Sequence, residues 1–520
     1  MHSLNLATYF LDNNVVAGRG RRTALITTDG ACSYAELAAL ASRAGNVLLE
    51  LGVRKQERVL LALADSAEFV AIWYGAQKIG AVTAEVYTFL PAKDYTYYLD
   101  YTGASLVVAD RDTLPRMRLA VAGRRAKPVL LVVGANADEL QAGEASFEAL
   151  AGAASSELAP ADTRTDDVAI WKFTTGSTGQ PKACVHPLRS PMASYLNYAR
   201  GVLDLRADDV VLPVPKLFFG YARDLTAMYP FGVGGAGIVF PERTTPELLF
   251  DLIARHRPSI LVNVPTMMQA MLDHPAASKQ DLGCLRLCTS AGEALPESIH
   301  HRWMETFGVQ VLDGMGSSEA YHIFVSARPG RVRPGSIGEA VPGYTAQVVD
   351  DAGRPLPDGH VGRLWVRGES TALAYWGDPD KSAATFDGDL VMTGDLAKRD
   401  GDGFFSYEGR ADDMLKIGGI WVAPMEIERC LADHADVVEA AVVGADREGL
   451  TRICAFAVPR AGTHLSGEAL RAFVRERLSG HKVPHEVQVV AQLPKTGSGK
   501  VDRRALRETA ATLTTGVLDA

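Results

Sequence analysis

Apolar residues recur along the chain in two spacings, one typical of helices and one of buried strands. Ser33-Tyr34-Ala35-Glu36 is a capping-box pattern, and the apolar positions after it recur at helical spacing up to Gly52, which predicts a helix. A second helix is predicted over 68–78, and short apolar runs predict buried strands at 59–63, 106–109, 129–133, 168–173, 260–264 and 285–289. This alternation predicts largely parallel sheets with helices on both faces, and a ligand site beyond the carboxyl ends of the strands.

The character of the sequence changes after about residue 335. Turn-forming residues become frequent there and separate short alternating strands such as 362–367, which is typical of an antiparallel subdomain. A last unit from about Asp412 contains predicted helices at 424–432 and 467–478 and strands at 440–443 and 453–458. The predicted fold class is therefore α/β: a large N-terminal domain over 1–411, built of doubly wound mixed sheets plus a small β-barrel-like subdomain, and a small α+β C-terminal domain over 412–520.

Composition narrows the classes of function. The 520 residues are 47% apolar and 22% charged, which is ordinary for a globular protein of about two to four domains. A net charge of −9 argues against broad nucleic-acid binding. No apolar stretch approaches transmembrane length, and the N-terminus does not resemble a signal peptide, so we expect no membrane partner. The six cysteines form no Cys-x-x-Cys pair, which favours reduced thiols and a cytoplasmic location.

The most specific local pattern directly follows the predicted strand at 168–173. Glycines let backbone amides approach an anion closely, while hydroxyl groups and an ammonium group add donors and positive charge. The pattern predicts a loop that binds a triphosphate, made of Thr174, Thr175, Gly176, Ser177, Thr178, Gly179 and Lys182. It is not a Walker loop. The stretch 497–500 resembles one only superficially, because Pro494 stands where the leading glycine would be and Val501 follows Lys500.

Further motifs follow the phosphate loop in a fixed order. They are Ser290-Ala291-Gly292-Glu293-Ala294-Leu295-Pro296, Asp313-Gly314-Met315-Gly316-Ser317-Ser318-Glu319, Thr393-Gly394-Asp395, Gly409-Arg410-Ala411-Asp412-Asp413, and Pro494-Lys495-Thr496-Gly497-Ser498-Gly499-Lys500-Val501. With these motifs the chain resembles, over essentially its whole length, the adenylate-forming superfamily of acyl-CoA synthetases, peptide-synthetase adenylation domains and luciferases. Several ordered motifs are far more specific than any one of them alone.

The resemblance implies that the protein uses ATP and Mg²⁺ to convert a carboxylic acid into an acyl-adenylate and then passes the acyl group to coenzyme A. It implies that Ser318 contacts the α-phosphate and that Glu319 holds Mg²⁺. Asp395 is expected to bind the ribose hydroxyls with help from Arg410, and Lys500 to bridge the carboxylate and the α-phosphate. The other implied nucleotide contacts are Ser290, Ala291, Gly292 and Glu293 at the adenine, and Asp313, Gly314, Met315 and Gly316. A carboxylate of pKa near ~4 is already ionised at pH 7, so adenylation needs no general base.

The resemblance also implies a two-position mechanism. Asp412 corresponds to the hinge about which the small, mobile C-terminal domain rotates after adenylation. Rotation is expected to withdraw Lys500 and to bring in a coenzyme A tunnel lined by Lys416, Gly418 and Gly419. The glycines could instead form a simple hairpin turn. Neutralisation of Lys500 by acetylation would remove the adenylation charge, which makes this lysine a candidate regulatory site.

The acid is expected to be aromatic. The segments 216–221 and 319–324 resemble the benzoate-CoA ligase branch, which implies an acyl pocket lined by Phe219, Gly220, Tyr221, His322 and Ile323. In this pocket His322 would orient the carboxylate. Where the benzoate branch commonly has alanine this chain has Gly220, and the missing methyl group suggests room for an ortho substituent, as in 2-aminobenzoate (anthranilate). Amino acids and long-chain fatty acids are less favoured substrates.

Other functions stay open at this stage. A freestanding ligase that loads a carrier protein would share every adenylation motif. A non-catalytic, ligand-binding relative is disfavoured because Glu319, Asp395, Arg410 and Lys500 occur together, and a luciferase-like oxygenase is disfavoured by the pocket segments. A dinucleotide oxidoreductase would need a Gly-x-Gly-x-x-Gly helix start that is absent here. A homodimer is compatible with the sequence.

Overall fold

The computed structural model describes residues 3–175, 180–417, 420–447, 450–460, 462–496 and 501–512. The α-helices in these ranges are α1 (Tyr34–Glu50), α2 (Ala67–Lys78), α3 (Ala92–Thr102), α4 (Leu114–Val121), α5 (Phe147–Ala153), α6 (Arg189–Ser194), α7 (Gly220–Ala227), α8 (Pro246–His256), α9 (Pro265–Asp273), α10 (Glu297–Phe307), α11 (Pro379–Ala383), α12 (Pro424–Ala432), α13 (Gly467–Arg477) and α14 (Arg503–Thr512). None of the described helices is long and apolar enough to cross a membrane.

The strands build several sheets. In the first half of the chain they are β1 (Thr23–Thr27), β2 (Gly30–Ser33), β3 (Arg58–Ala62), β4 (Val82–Glu85), β5 (Leu106–Asp110), β6 (Val129–Val133), β7 (Glu144–Ser146), β8 (Val168–Thr175), β9 (Pro181–Pro187), β10 (Val210–Pro213), β11 (Ala236–Ile238) and β12 (Ile260–Asn263). In the second half they are β13 (Leu287–Ser290), β14 (Val311–Gly316), β15 (Ile323–Ser326), β16 (Glu339–Ala340), β17 (Thr345–Val349), β18 (Val361–Arg367), β19 (Ala374–Tyr375), β20 (Phe386–Asp387), β21 (Leu390–Arg399), β22 (Phe405–Arg410), β23 (Leu415–Ile417), β24 (Ile420–Val422), β25 (Val437–Arg447), β26 (Leu450–Pro459) and β27 (Glu486–Val489).

Several elements begin at or close to the residues where the sequence predicts them. The Ser33 side chain accepts a hydrogen bond from the backbone N–H of Glu36, whose carboxylate accepts one from the backbone N–H of Ser33, so the predicted capping box begins α1. Helix α12 has the predicted bounds, with Pro424 in its first turn. The predicted strands at 59–63 and 168–173 correspond to β3 and β8 with shifts of one or two residues.

Two large mixed sheets form the body of the molecule. One has the strand order β19-β9-β8-β4-β3-β5-β6-β7 and the other β16-β15-β14-β13-β12-β10-β11-β1-β2. Their central strands run parallel, while β8 and β9 form an antiparallel hairpin and β14 pairs antiparallel with β15. The predicted α/β class with doubly wound mixed sheets is confirmed.

The apolar core lies on both faces of these sheets. In β3, Val59 and Leu61 face one hydrophobic cluster, whereas Leu60 and Ala62 face another. A third cluster covers the far face of the second sheet, with Leu261 and Trp303 fully buried. A strand buried on both faces reads as a continuous apolar run, which explains why the short runs predicted strands.

The later part of the chain builds smaller sheets. Strands β17, β18, β20, β21 and β22 form an antiparallel sheet, as the turn-rich sequence after residue 335 predicts. Beyond it, β25 and β26 form a long hairpin to which β27 adds in parallel. Apolar residues of this last part pack into clusters of their own, one including Val422, Ile427 and Ile453. The domain boundary at Asp412 stays a prediction; this residue is exposed in a short 3₁₀ turn, Ala411–Asp413.

Candidate active site

The predicted phosphate loop lies at the tip of the β8–β9 hairpin. Thr174 pairs with Lys182 and Thr175 with Pro181 across the two strands. Of the five residues between Thr175 and Pro181, the four at 176–179 lie outside the described residues, so the contacts predicted for Gly176, Ser177, Thr178 and Gly179 stay predictions. Lys182 therefore lies one residue from the last pair of the described hairpin, Thr175 and Pro181.

Ser318 and Glu319 lie beside this hairpin. The Ser318 hydroxyl donates a hydrogen bond to the carbonyl of Phe173 at 3.4 Å, and the Ser318 carbonyl is 2.7 Å from Nε2 of His186. The Glu319 side chain is fixed from β19, where the hydroxyl of Tyr375 donates a hydrogen bond to Oε1 at 2.7 Å. The motif Asp313–Glu319 therefore ends against the phosphate hairpin.

An ion pair holds the side chain of Lys182 in the same region. Its Nζ is 2.8 Å from Oδ2 of Asp378 and 5.7 Å from the ring centre of Tyr375. Lys182 and Asp378 keep 20% and 33% of their side-chain surface exposed. The ammonium group is therefore accessible to a phosphate, which would compete with Asp378 for it.

Asp395 and Arg410 form a second ion pair across the neighbouring strands β21 and β22. They are directly opposite in the sheet, and Nη1 of Arg410 is 3.0 Å from Oδ1 of Asp395. Burial raises the pKa of the Asp395 carboxyl, although Arg410 opposes this, and the charge of Glu319 raises it further. A buried carboxylate with an oxygen to spare suits a diol.

The predicted adenine wall and the strand that follows it are adjacent in the second sheet. Ser290 ends β13 opposite Asp313 on β14, and both are buried. Burial raises the pKa of Asp313 to about 7, and its Oδ1 has no hydrogen-bond partner among the described residues. Gly292 adopts a φ of 89° with open space where a side chain would be, and Glu293 accepts a hydrogen bond from the hydroxyl of Thr266 at 2.5 Å.

Other residues of these motifs are packed tightly. Ala291 is buried after β13, and the predicted nucleotide residues Gly314, Met315 and Gly316 lie on β14. A β-carbon on Gly316 would stand 2.4 Å from the carbonyl oxygen of His322, so this position requires glycine for close backbone packing.

The predicted acyl-pocket residues come together at the start of α7 and of β15. Phe219 precedes the first turn of α7, Ile323 begins β15, and Tyr221 donates or accepts a hydrogen bond with Thr289 at 2.6 Å. The ring centre of His322 is 5.6 Å from that of Tyr221. It is also 5.5 Å from Tyr198 and 5.4 Å from Tyr229, so aromatic rings surround it.

His322 is held neutral by this environment. Burial and the nearby Lys172 ammonium lower its pKa to about 3. Its Nε2 is 3.5 Å from the carbonyl oxygen of Tyr221, while Nδ1 is buried without a hydrogen-bond partner in the described structure. If His322 orients the carboxylate, as predicted, it does so as a neutral hydrogen-bond donor.

The structural reason for Gly220 differs from the one that the sequence suggested. A β-carbon on Gly220 would stand 2.5 Å from Cε and 2.5 Å from Nζ of Lys172. The space left by the missing methyl group is therefore filled by a lysine side chain and is not open for a ring substituent. The argument for an ortho substituent from spare volume at Gly220 is corrected accordingly.

Sequence reasoning missed the residues that hold the predicted ones in place. Tyr375 and Asp378 lie outside every motif and reach the site only through the pairing of β19 with β9. Lys172 was counted within an apolar strand, although a lysine in such a strand is itself a signal. Asp224 belongs to no predicted motif, and the structure pairs it with Lys172 at 2.9 Å.

The remaining predicted residues cannot be placed. Lys500, Gly418 and Gly419 lie outside the described residues, and only the backbone of Lys416 is described, in β23. Lys495 and Val501 form an isolated β-bridge that brackets the segment of Lys500. Among the described residues, no group of three or more His, Cys, Asp or Glu side chains could hold a metal ion by itself.

Comparison with known proteins defines the class. Residues 12–376 match the model of the AMP-binding enzyme family, and residues 426–500 match that of the AMP-binding enzyme C-terminal domain. The chain therefore belongs to the AMP-binding enzyme family.

Individual relatives match over almost the full chain. A benzoate–CoA ligase of Thauera aromatica is 39% identical over 510 residues, which cover 97% of this chain and 95% of that protein. A benzoate CoA ligase structure from Burkholderia xenovorans LB400 matches with a TM-score of 0.89 and 37% identity, covering 97% and 100% of the two chains. An anthranilate CoA ligase in complex with anthranoyl-AMP matches with a TM-score of 0.92 and 34% identity, covering 99% and 98%.

Proposed function

We propose that this protein is an AMP-forming aryl-CoA ligase, which adenylates an aromatic carboxylate with ATP and transfers the acyl group to coenzyme A. The observation that carries the proposal is that Tyr375 contacts both Lys182 and Glu319, with the Asp395–Arg410 pair on neighbouring strands and aromatic rings gathered around His322. Similarity along the whole chain to proteins named as benzoate and anthranilate ligases supports the same reaction.

In the first step a carboxylate oxygen of the acid attacks the α-phosphorus of ATP. A carbonyl C–O–P linkage forms, the bond between the α-phosphorus and the bridging oxygen breaks, and pyrophosphate leaves with the electron pair. Lys182 would bind the departing phosphates once it exchanges Asp378 for them, and the Asp395–Arg410 pair would hold the ribose. Holding two anions in reacting geometry is the main contribution of such a site.

The residues present fit a magnesium ion. Mg²⁺ takes oxygen ligands and is commonly bound by one or two carboxylates together with phosphate oxygens and water. Tyr375 occupies one oxygen of Glu319, which leaves the other for a metal. When bound, the ion would neutralise phosphate charge.

In the second step the thiol sulfur of coenzyme A attacks the acyl carbon. A C–S bond forms, the C–O bond to AMP breaks, AMP leaves as its anion, and the thiol proton passes to solvent. We propose that the unit after Asp412 rotates between the steps, so that Lys500 serves adenylation and the segment 416–419 serves thioester formation. The separate apolar clusters of residues beyond 412 support a unit that moves as one body.

The relatives and the cysteines also bear on the acyl acceptor and on the cellular location. Coenzyme A is favoured over a carrier protein because the two benzoate ligases named above are CoA ligases. This chain matches 95% and 100% of their lengths. A reducing, cytoplasmic setting is supported by the free thiols of Cys32, Cys184, Cys284, Cys288 and Cys430.

Pyrophosphate release across benzoates, fatty acids and amino acids, with and without coenzyme A, tests the proposal. We expect continuous release with aryl acids only when coenzyme A is present, together with an aryl-CoA product identified by mass. A single burst that coenzyme A cannot sustain would instead identify a carrier-protein ligase. Inactivity with every acid would overturn adenylation altogether.

A further inference from the structure

Four charged side chains lie buried together beside the candidate acyl pocket. Lys172 on β8 is 2.9 Å from Asp224 on α7, whose other oxygen is 2.7 Å from Nη2 of Arg223. Nη1 of Arg223 is in turn 2.7 Å from Glu85 at the end of β4. Their side chains are between 0 and 7% exposed. Two positive and two negative charges cancel, so the network is neutral as a whole.

Such a network is not explained by stability alone. Apolar residues of similar volume often stabilise a core as well as a buried ion pair does, because removing charges from water is costly. Arg223 already provides Asp224 with a charged partner through Nε and Nη2, without Lys172. The addition of Lys172 therefore invites a functional explanation, which the position of the ammonium group supplies.

The Lys172 ammonium lies next to residues predicted to line the acyl pocket. Its Nζ is 2.5 Å from the place that a β-carbon on Gly220 would occupy, next to the pocket residue Tyr221. It donates a hydrogen bond to the carbonyl of Tyr321 at 2.6 Å, one residue before His322, and lies 3.5 Å from the centre of the Tyr321 ring. Tyr321 has a φ of 72°, a strained conformation that this hydrogen bond helps to hold.

Lys172 rather than Asp224 is the member that can reach a ligand. Asp224 is completely buried, whereas Lys172 keeps 7% of its side chain exposed. Two of the three ammonium donors are used by Asp224 and the Tyr321 carbonyl. Close by, Nδ1 of His322 is a buried polar atom without a partner in the described structure. An unsubstituted aromatic ring would offer the third ammonium donor no acceptor beyond the face of the Tyr321 ring.

We infer that Lys172 is a specificity-determining residue, and that the acyl pocket selects benzoic acids with a hydroxyl or amino group on the ring over unsubstituted benzoate. A ring hydroxyl oxygen would accept a hydrogen bond from the third donor of the ammonium group, and a ring amino nitrogen, whose lone pair is partly delocalised into the ring, would accept a weaker one. Gly220 contributes to this selectivity, because any side chain at that position would displace the ammonium group of Lys172. This inference rests on the proposed aryl-CoA ligase function and names its substrate class.

The test compares acids of equal size. Each amino- and hydroxybenzoate is paired with the methylbenzoate that has its substituent at the same ring position, and kcat/KM is measured by pyrophosphate release with coenzyme A present. Because a hydrogen bond to a charged donor is at stake, we expect the best polar acid to exceed its methyl partner by at least about tenfold. Equal values for every pair would overturn the inference and leave the ligase function intact. Failure of all aryl acids would overturn both.

Two variants locate the selectivity. Lys172→Met keeps the length of the side chain but removes the donor, so the polar-to-methyl ratio of kcat/KM should fall to about one. The matched control is Lys78→Met, which removes an equally buried lysine, 7% exposed, from an ion pair with Asp12 at 2.9 Å. An unchanged ratio in Lys172→Met, or an equal loss in Lys78→Met, would overturn the inference. If Lys172→Met does not fold, Gly220→Ala provides the test. Its methyl group should displace the ammonium group of Lys172 and so also lower the polar-to-methyl ratio of kcat/KM.

Discussion

The hydroxyl of Tyr375 donates a hydrogen bond to Oε1 of Glu319, 2.7 Å away, and so fixes the carboxylate proposed to hold Mg²⁺. Groups that orient a metal ligand commonly change metal affinity about 10–100-fold when they are removed. We therefore expect Tyr375→Phe to raise the Mg²⁺ concentration for half-maximal activity roughly tenfold, while kcat at saturating Mg²⁺ changes little. A titration with Mg²⁺ at fixed ATP measures this.

The control for Tyr375→Phe removes another buried phenol. Tyr34 donates a hydrogen bond to the carbonyl of Gly235 at 2.5 Å and belongs to no predicted site. Tyr34→Phe should leave the Mg²⁺ dependence unchanged. If both variants shift it equally, or if Tyr375→Phe does not shift it, the hydrogen bond does not position a metal ligand.

The ion pair between Lys182 and Asp378 leads to a second prediction. If Lys182 binds phosphate oxygens, Lys182→Met should lower kcat/KM for ATP by about ten- to a hundredfold, as expected for loss of a charged hydrogen bond. Asp378 competes with phosphate, so Asp378→Asn should not lower it. Asparagine retains the capping contact that Asp378 makes to the backbone N–H of Lys381 at 3.0 Å. Steady-state kinetics with varied ATP would contradict the assignment if Asp378→Asn were the more damaging change.

The buried charge network predicts a large effect on stability. Arg223→Leu would leave the carboxylates of Glu85 and Asp224 buried without their shared partner, and breaking a buried pair in this way costs about 3–5 kcal/mol. Chemical denaturation should show that loss in the free energy of unfolding. Arg255 pairs with Asp251 on the exposed face of α8, so Arg255→Leu should change stability by at most about 0.5 kcal/mol. Comparable losses of unfolding free energy in Arg223→Leu and Arg255→Leu would mean that the buried network contributes no more to stability than an exposed ion pair.

Elements that one local signal defines were predictable from the sequence. The cap at Ser33 and the proline at position 424 fix where α1 and α12 begin, and both helices have the expected start. Strand β25 shows the limit. It was predicted over 440–443 but spans Val437–Arg447, because its pairing with β26 continues through polar residues at both ends. Long-range pairing of that kind leaves little trace in the local pattern.

Some residues of the candidate site were likewise predictable from the sequence, and others were not. Lys182, Glu319 and Arg410 were identifiable because each belongs to a motif in a fixed order. Tyr375, which fixes Glu319 from 56 residues away, belongs to none. Lys172 was not identified because it lies among the apolar residues of its own strand. Its partner Asp224 follows 52 residues later in the chain. Such contacts join residues from different elements of the fold, and no spacing within the sequence encodes them.

The protonation of Lys172 gives a last prediction. Burial lowers the pKa of this lysine to about 8, so the ammonium form predominates below that pH and the neutral amine above it. A charged donor makes a hydrogen bond roughly twice as strong as a neutral one. The preference for an aminobenzoate over the methylbenzoate of the same shape should therefore be constant near pH 6–7 and fall as the pH rises through about 8.

No other group around Lys172 with a resolved shift changes charge in that range. The charged and titratable groups that face it are Asp224, Arg223, Glu85, Tyr321, His186 and His322. The pKa of Asp224 is lowered to about 2, both histidines have pKa values lowered to about 3 by burial, and the pKa of Tyr321 is raised well above its usual value. The ratio of kcat/KM values, measured at each pH in one competition, cancels effects common to both acids. In Lys172→Met the ratio should be flat, so a fall that persists in this variant would assign the titration to another group.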